Sequence, residues 1–213
     1  MSSILITRSN YLNYFGINPI SMANQLDLYK KYFVDNNRES IAMFEILADL
    51  FKIQSVLYMG SFVHISPALV ISNCVFVDND RRVAKFFEDE EVAEFVNKNK
   101  KYKEDASFQA FQQNYEKPLP LKNNSFDLLI SQYAGIISET GKKYLKKDGI
   151  LLVNSSHGDA AVAHLDEDLN GLEGGMVLVS LGDLVTLILN TISYPSPKNH
   201  TLPKKKSKNR DEG

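Results

Sequence analysis

The sequence predicts an α/β fold, a doubly wound and mostly parallel Rossmann-like sheet with helices on both faces. Three observations carry that prediction. Short runs at 56–59, 74–77, 128–130 and 150–153 are uniformly apolar, as strands buried on both faces must be. Segments with helical spacing separate them. The first run ends in a turn at Gly60 and the second on the acid Asp78, the arrangement by which nucleotide-binding α/β folds hold a ribose.

Taken in order, residues 22–33 place Met22, Leu26, Tyr29 and Phe33 on one helical face. Asn36 or Asn37 is placed to cap the next helix, whose apolar stripe is Ile41, Phe44, Leu47, Ala48 and Phe51. These helices form an N-terminal cap over 1–52, packed on the sheet. Strand 56–59 and its Gly60 turn follow, and Ser66-Pro67 opens a helix before strand 74–77. A helix over 81–87 turns Val83, Phe86 and Phe87 inward, and a charged helix over 88–103 packs Val92, Phe95 and Val96. A short third strand is expected within 108–115. Pro118 and Pro120 break the chain before the turn Asn123-Asn124-Ser125, which introduces strand 126–130.

Residues 136–145 read as a helix, with Lys146-Lys147-Asp148-Gly149 as its cationic end and stop. Strand 150–153 runs into Asn154-Ser155-Ser156-His157-Gly158-Asp159, and a helix or lid starts over 160–169. The Gly182-Asp183 turn between 176–181 and 184–192 predicts a closing antiparallel hairpin, with a helix over 184–192 as the alternative. The Rossmann-like domain then spans 53–194, and 195–213 form a disordered basic tail.

Charge is uneven along the chain. Residues 204–213 hold five basic residues against two acids, leaving the body to Pro203 with 19 basic and 24 acidic residues. An acidic body argues against a nucleic acid duplex as principal partner, because phosphate neutralisation needs a basic face. No apolar run is long enough to span a bilayer; the longest, 176–192, is interrupted by Ser180, Gly182, Asp183 and Asn190. The first residues lack the pattern of a secretory leader, and the single cysteine, Cys74, falls in a predicted buried strand. A cytoplasmic protein is the expectation. Four histidines at 64, 157, 164 and 200 show no metal-ligand spacing, and Ser156, His157 and Asp159 are too close in sequence to align as a catalytic triad.

Several segments together resemble the class I S-adenosylmethionine-dependent methyltransferases over roughly residues 40–160. Val56-Leu-Tyr-Met-Gly60 is similar to that family's first strand and glycine turn. Val75-Phe-Val-Asp78-Asn-Asp80 is similar to its second strand with the acid that takes both ribose hydroxyls. Pro118-Leu-Pro-Leu-Lys-Asn-Asn-Ser-Phe-Asp127-Leu-Leu-Ile-Ser131 resembles the approach to its fourth strand, and Leu145-Lys-Lys-Asp-Gly149-Ile-Leu-Leu-Val153 its helix, turn and fifth strand. The closing hairpin would be the family's antiparallel addition.

The resemblance implies S-adenosylmethionine as cofactor, a small-molecule methyl acceptor, and a cofactor site of Gly60, Ser61, His64, Asp78, Asn79, Asn114, Tyr115 and Ser131. It also places Ser131, Gln132 and Tyr133 where the acceptor is met, with Ser155, Ser156, His157 and Asp159 on the neighbouring loop. The chain departs from the family's pattern at Tyr58, where an acid is common, and at Phe62 and His64, where glycines are expected.

Each residue also has a plainer reading. Asp78 carries two acceptor oxygens suited to a vicinal diol, or else caps the helix after it. Asp80 is the better cap. His64 either meets a cofactor carboxylate or fills the first turn and donates to a backbone carbonyl. Asp127, at a strand start, reads as a structural acceptor of backbone amides. For a proton-bearing acceptor, His157 is the first choice of base and Tyr133 the second. A methyltransferase-like fold kept as a non-catalytic binding module is the competing reading, motivated by Phe62 and His64. A nicotinamide-dependent oxidoreductase fits the glycine pattern less well.

Overall fold

A computed structural model describes residues 24–155, 157–166, 169 and 176–180. Helix α1 (Gln25–Tyr29) continues into a π-helical turn, Lys30–Val34, and α2 (Ile41–Phe51) leads into β1 (Ser55–Met59). β2 (Asn73–Asp78) is followed by α3 (Arg82–Phe87), α4 (Glu90–Asn99) and β3 (Ser107–Gln112). Then come β4 (Phe126–Ser131), a short α5 (Ser138–Gly141), β5 (Leu145–Asn154), α6 (Asp159–Leu165) and β6 (Met176–Ser180).

These strands form one sheet in the order β3-β2-β1-β4-β5-β6, and every pairing is parallel. The order reverses between β1 and β4, the switch point at which such sheets open a crevice beyond their carboxyl ends. Met59 pairs with both Val77 and Ser131, and Ser131 with Val153, so these strands end at one level. The loops after them share a rim.

Alternation along the strands sorts the core into two layers. Val56, Tyr58, Cys74, Phe76, Leu128, Ile130, Ile150 and Leu152 face α1, α2, α3 and α4. Leu57, Met59, Val75, Val77, Leu129, Leu151 and Val153 face Ile137, Tyr144 and Ala163 on the other side. The N-terminal helices pack on the sheet as the sequence implies, through Tyr29, Met43, Phe44 and Leu47. Cys74 is buried and its thiol lies 3.3 Å from the Ile71 carbonyl oxygen, a packed small hydrophobe.

Four expectations need correction. The first arm of the predicted antiparallel hairpin joins the sheet as a parallel strand: β6 runs parallel to β5, with Ile150 opposite Met176 and Asn154 opposite Ser180. Residues 184–192 and the tail 195–213 lie outside the described residues. Ser66-Pro67 opens no α-helix; residues Ser66–Leu69 make one 3-10 turn, because few residues separate Gly60 from β2. Lys146-Lys147-Asp148-Gly149 does not end a helix but lies in β5, where the ladder with β4 is irregular and the three charged residues bulge to solvent. Neither Asn36 nor Asn37 caps α2: the Asn36 amide donates back to the Lys31 carbonyl at 2.7 Å, and Ser40 precedes the helix.

Candidate cofactor site

At the end of β1 the chain turns sharply. Gly60 has φ +73°, and a Cβ there would lie 2.2 Å from the Cβ of Ala134 on the β4 loop. Only glycine fits both the backbone and the space. The next amides turn onto β2: Gly60 and Ser61 N–H donate to the Val77 carbonyl at 2.7 and 3.3 Å, and Phe62 N–H donates to Asp78 Oδ2 at 2.7 Å. Asp78 Oδ1 accepts from Asp80 N–H at 2.8 Å. Each oxygen of the Asp78 carboxylate thus holds one backbone amide and keeps a lone pair for a further donor. Asn79, beside it, is exposed, and the buried Ser61 hydroxyl donates to the Phe62 carbonyl at 3.2 Å.

Phe62 itself sits on left-handed backbone, φ 47°, which is rare for a bulky residue. Its ring meets Tyr32 edge-on at 5.1 Å, and the Arg82 guanidinium lies over it at 4.4 Å. Arg82 is held in turn by a bidentate contact with Asp80, at 2.8 and 2.7 Å. The hydrogen bonds from Arg82 pull the Asp80 carboxyl down to about 2. Asp80 Oδ1 also accepts Arg82 N–H at 2.9 Å, so Asp80 does the capping work at α3.

His64 does not face the crevice. It is 2% exposed, stacked on Phe33 with ring centroids 4.2 Å apart, with Nδ1 3.0 Å from the Tyr58 hydroxyl and Nε2 3.1 Å from the Glu39 carbonyl. A carbonyl only accepts, so Nε2 carries the proton and Nδ1 accepts from Tyr58. Burial pushes the imidazole down to about 4, keeping it neutral. Both nitrogens are therefore occupied, and the assignment of His64 to the cofactor gives way to a structural one. Tyr58, the departure in β1, exists as its partner, and burial raises its phenol.

Across the switch point, Ser131 Oγ donates to Asp159 Oδ2. Asp159 Oδ1 also accepts from Ser138 Oγ at 2.5 Å and from Ser138 N–H at 3.1 Å. The carboxylate is 2% exposed and ties β4, α5 and α6 into one knot. Its role as a hub was not legible in the sequence, where it was one polar residue in a loop of several. Tyr115 packs beneath the β4 loop and accepts the Gly135 amide at 3.1 Å, while Asn114 accepts Glu116 N–H at 2.9 Å and donates to its carboxylate at 3.1 Å. Tyr115 thus braces the rim, and Asn114 makes a local turn.

Tyr133 and His157 follow β4 and β5 on left-handed backbone, φ 59° and 63°, and both are exposed. Non-glycine residues in that region cost energy and cluster at functional sites. Ser155 is exposed on the same loop; Ser156 lies outside the described residues.

A cleft of about 540 Å³ opens at the opposite, amino-terminal edge of the sheet, between Ser55, Asn73, Tyr102, Asp127 and Lys146. Its central acid, Asp127, accepts from Gln54 N–H, Ser55 N–H and Ser55 Oγ at 3.1, 2.9 and 2.8 Å and from Lys146 at 2.6 Å. Burial opposes ionisation there, but Lys146 and these donors outweigh it and hold the carboxyl below its usual range. Asp127 is the structural acceptor that its strand-start position suggested. Among the described residues no group of His, Cys, Asp or Glu is arranged for a metal, and no helix is long and apolar enough to cross a membrane.

The strand order and level rim define an open, doubly wound, all-parallel sheet. No family model and no curated protein matches the chain. Among solved structures it is similar to the YcgJ protein of Bacillus subtilis, at 20% identity and a TM-score of 0.38, over 65% of this chain and 62% of that one. It is also similar to a candidate S-adenosyl-L-methionine-dependent methyltransferase of Methanococcus maripaludis, at 14% identity and a TM-score of 0.45, over 74% and 68%. The match thus spans less than two thirds of the Bacillus protein, and these likenesses carry no functional argument.

Proposed function

We propose that the chain is an S-adenosylmethionine-dependent methyltransferase acting on a small-molecule acceptor. The observation that carries this reading is how the β1 loop uses its amides. Gly60, Ser61 and Phe62 all turn their N–H groups onto β2, and a four-residue 3-10 turn stands where an α-helix would begin. A dinucleotide pyrophosphate needs free amides at a helix N-terminus, which this loop does not offer. An adenosyl sulfonium has no phosphate. It asks for a diol acceptor, and Asp78 supplies one beside the Gly60 turn.

When bound, S-adenosylmethionine supplies an electrophilic methyl group. The chain's part is to hold the ribose at Asp78, align the acceptor at the β4 and β5 loops, and keep water out. His157 takes the proton of an acceptor that carries one, with Tyr133 the lesser alternative.

Calorimetric titration with S-adenosylhomocysteine tests the reading. The wild-type chain should bind saturably and melt at higher temperature. Asp78→Ala should weaken binding by about tenfold to a hundredfold, since two charge-assisted hydrogen bonds are lost. NADH should not bind. No binding of S-adenosylhomocysteine at saturation would overturn the enzyme and favour a binding module, a reading supported by the Tyr32–Phe62–Arg82 stack at the loop.

A further inference from the structure

Hydrogen-bond bookkeeping at the rim singles out one side chain. The described residues include ten buried polar or charged side chains. Nine of them have partners, among them Ser131, Ser138, Asp159, His64 and Ser66. The tenth, Gln132, is 4% exposed and has no hydrogen-bond partner among the described residues. A side chain sunk this deeply is costly to keep polar unless its polar end meets a partner, water or a ligand. Among the described residues no fully buried side-chain polar atom lacks a partner, so the Gln132 amide reaches open space. It is a group sunk in the protein whose polar end is aimed out of it.

Position gives that end a ligand. Gln132 directly follows β4, and two residues on Ala134 lies against Gly60 across the switch point. Adjacent strands lie about 4.8 Å apart, so the ends of β2 and β4, with β1 between them, are roughly 10 Å apart. An amino acid joined through a thioether to a ribose held at Asp78 spans a comparable length. A carboxamide presents one acceptor and one pair of donors, the complement of an ammonium beside a carboxylate.

We infer that Gln132 binds the α-amino-acid end of the adenosyl cofactor, its carbonyl oxygen accepting from the ammonium and its NH₂ donating to the carboxylate. This rests on the cofactor reading above and assigns Gln132 to the cofactor rather than to the acceptor. Because the amide has no partner among the described residues, removing it weakens the ligand and leaves the fold alone.

The test compares two probes in the full chain, S-adenosylhomocysteine and 5′-methylthioadenosine, which keeps the nucleoside and thioether but lacks the amino acid. Gln132→Met keeps the length of the side chain and should lower affinity for S-adenosylhomocysteine about tenfold or more. Affinity for 5′-methylthioadenosine and the melting temperature of the free protein should stay unchanged. Gln132→Glu, nearly isosteric, should weaken S-adenosylhomocysteine through carboxylate repulsion and spare the nucleoside. Wild-type affinity for S-adenosylhomocysteine in both variants overturns the assignment while the cofactor reading stands. Equal losses for both probes overturn it too, because the contact would then lie at the nucleoside. Failure of the wild type to bind S-adenosylhomocysteine overturns both.

Discussion

Asp127 and Asp159 anchor opposite ends of β4 and are built alike, each gathering serine hydroxyls and backbone amides from neighbouring elements. They differ in their surroundings. Asp127 lies in an open cleft, shares its charge with a half-exposed lysine, and locks the starts of β1, β4 and β5 together. Asp159 is sealed under the carboxyl rim and locks the loops that follow β4 and β5. A cleft of about 540 Å³ thus lies at the end where the central acid is already engaged. Unused hydrogen-bonding capacity lies at the other end, in the Asp78 lone pairs and the Gln132 amide. Empty volume and chemical readiness are separate properties, and the cleft at Asp127 has the first without the second.

The sharpest way to break that comparison is to remove the sealed acid. Asp159→Ala leaves two buried hydroxyls and an amide without their acceptor, and a loss of about 3–5 kcal/mol is expected in urea unfolding. A loss below about 1 kcal/mol would mean that the knot is not a mainstay of the rim.

A buried group beneath the N-terminal helices gives a pH signature. The folded state holds His64 neutral, with its pKa lowered to about 4 from 6.5, while the unfolded chain takes up the proton near 6.5. The unfolded state therefore binds more protons between these values. Stability from this group is full above about pH 6.5 and falls by about 3 kcal/mol in total as pH drops to 4. His64→Leu should flatten that limb in pH-dependent melting; an unchanged limb would assign the acid sensitivity elsewhere.

The smallest effect is expected at the open end. Asp127→Ala should cost about 1–2 kcal/mol, because water can reach the freed Ser55 and Lys146 groups. The Asp127 carboxyl is held low in the folded state, so its contribution is present above the unfolded value near pH 4 and lost below it. Melting curves across pH 3 to 6.5 would separate the two groups, His64 acting through the upper range and Asp127 only at the bottom.

The sequence carried the sheet well because strands buried on both faces leave an unmistakable apolar run, as at Leu128, Leu129 and Ile130. It misread the charged stretch at Lys146, since a bulged strand start and a helix end both display lysines to water. β6 was misassigned because a hairpin and a crossover begin from the same apolar run. The turn at Gly60 and the strand end at Asp78 were legible from their places after apolar runs. His64 was not, because its burial depends on Phe33 and Glu39, far away in the chain. Gln132 could be placed at the rim but not weighed, since an unmet hydrogen bond shows only when every neighbour is known.

The aromatic stack at the loop has an optical use. The chain contains no tryptophan. Phe62, half-buried between Tyr32 and Arg82 beside the Asp78 carboxylate, is therefore a position where a single indole would emit against a dark background. Phe62→Trp would turn the loop into its own fluorescent reporter, its emission shifting as solvent at that corner is displaced. Occupancy of the rim could then be followed in real time, before any methyl acceptor is known.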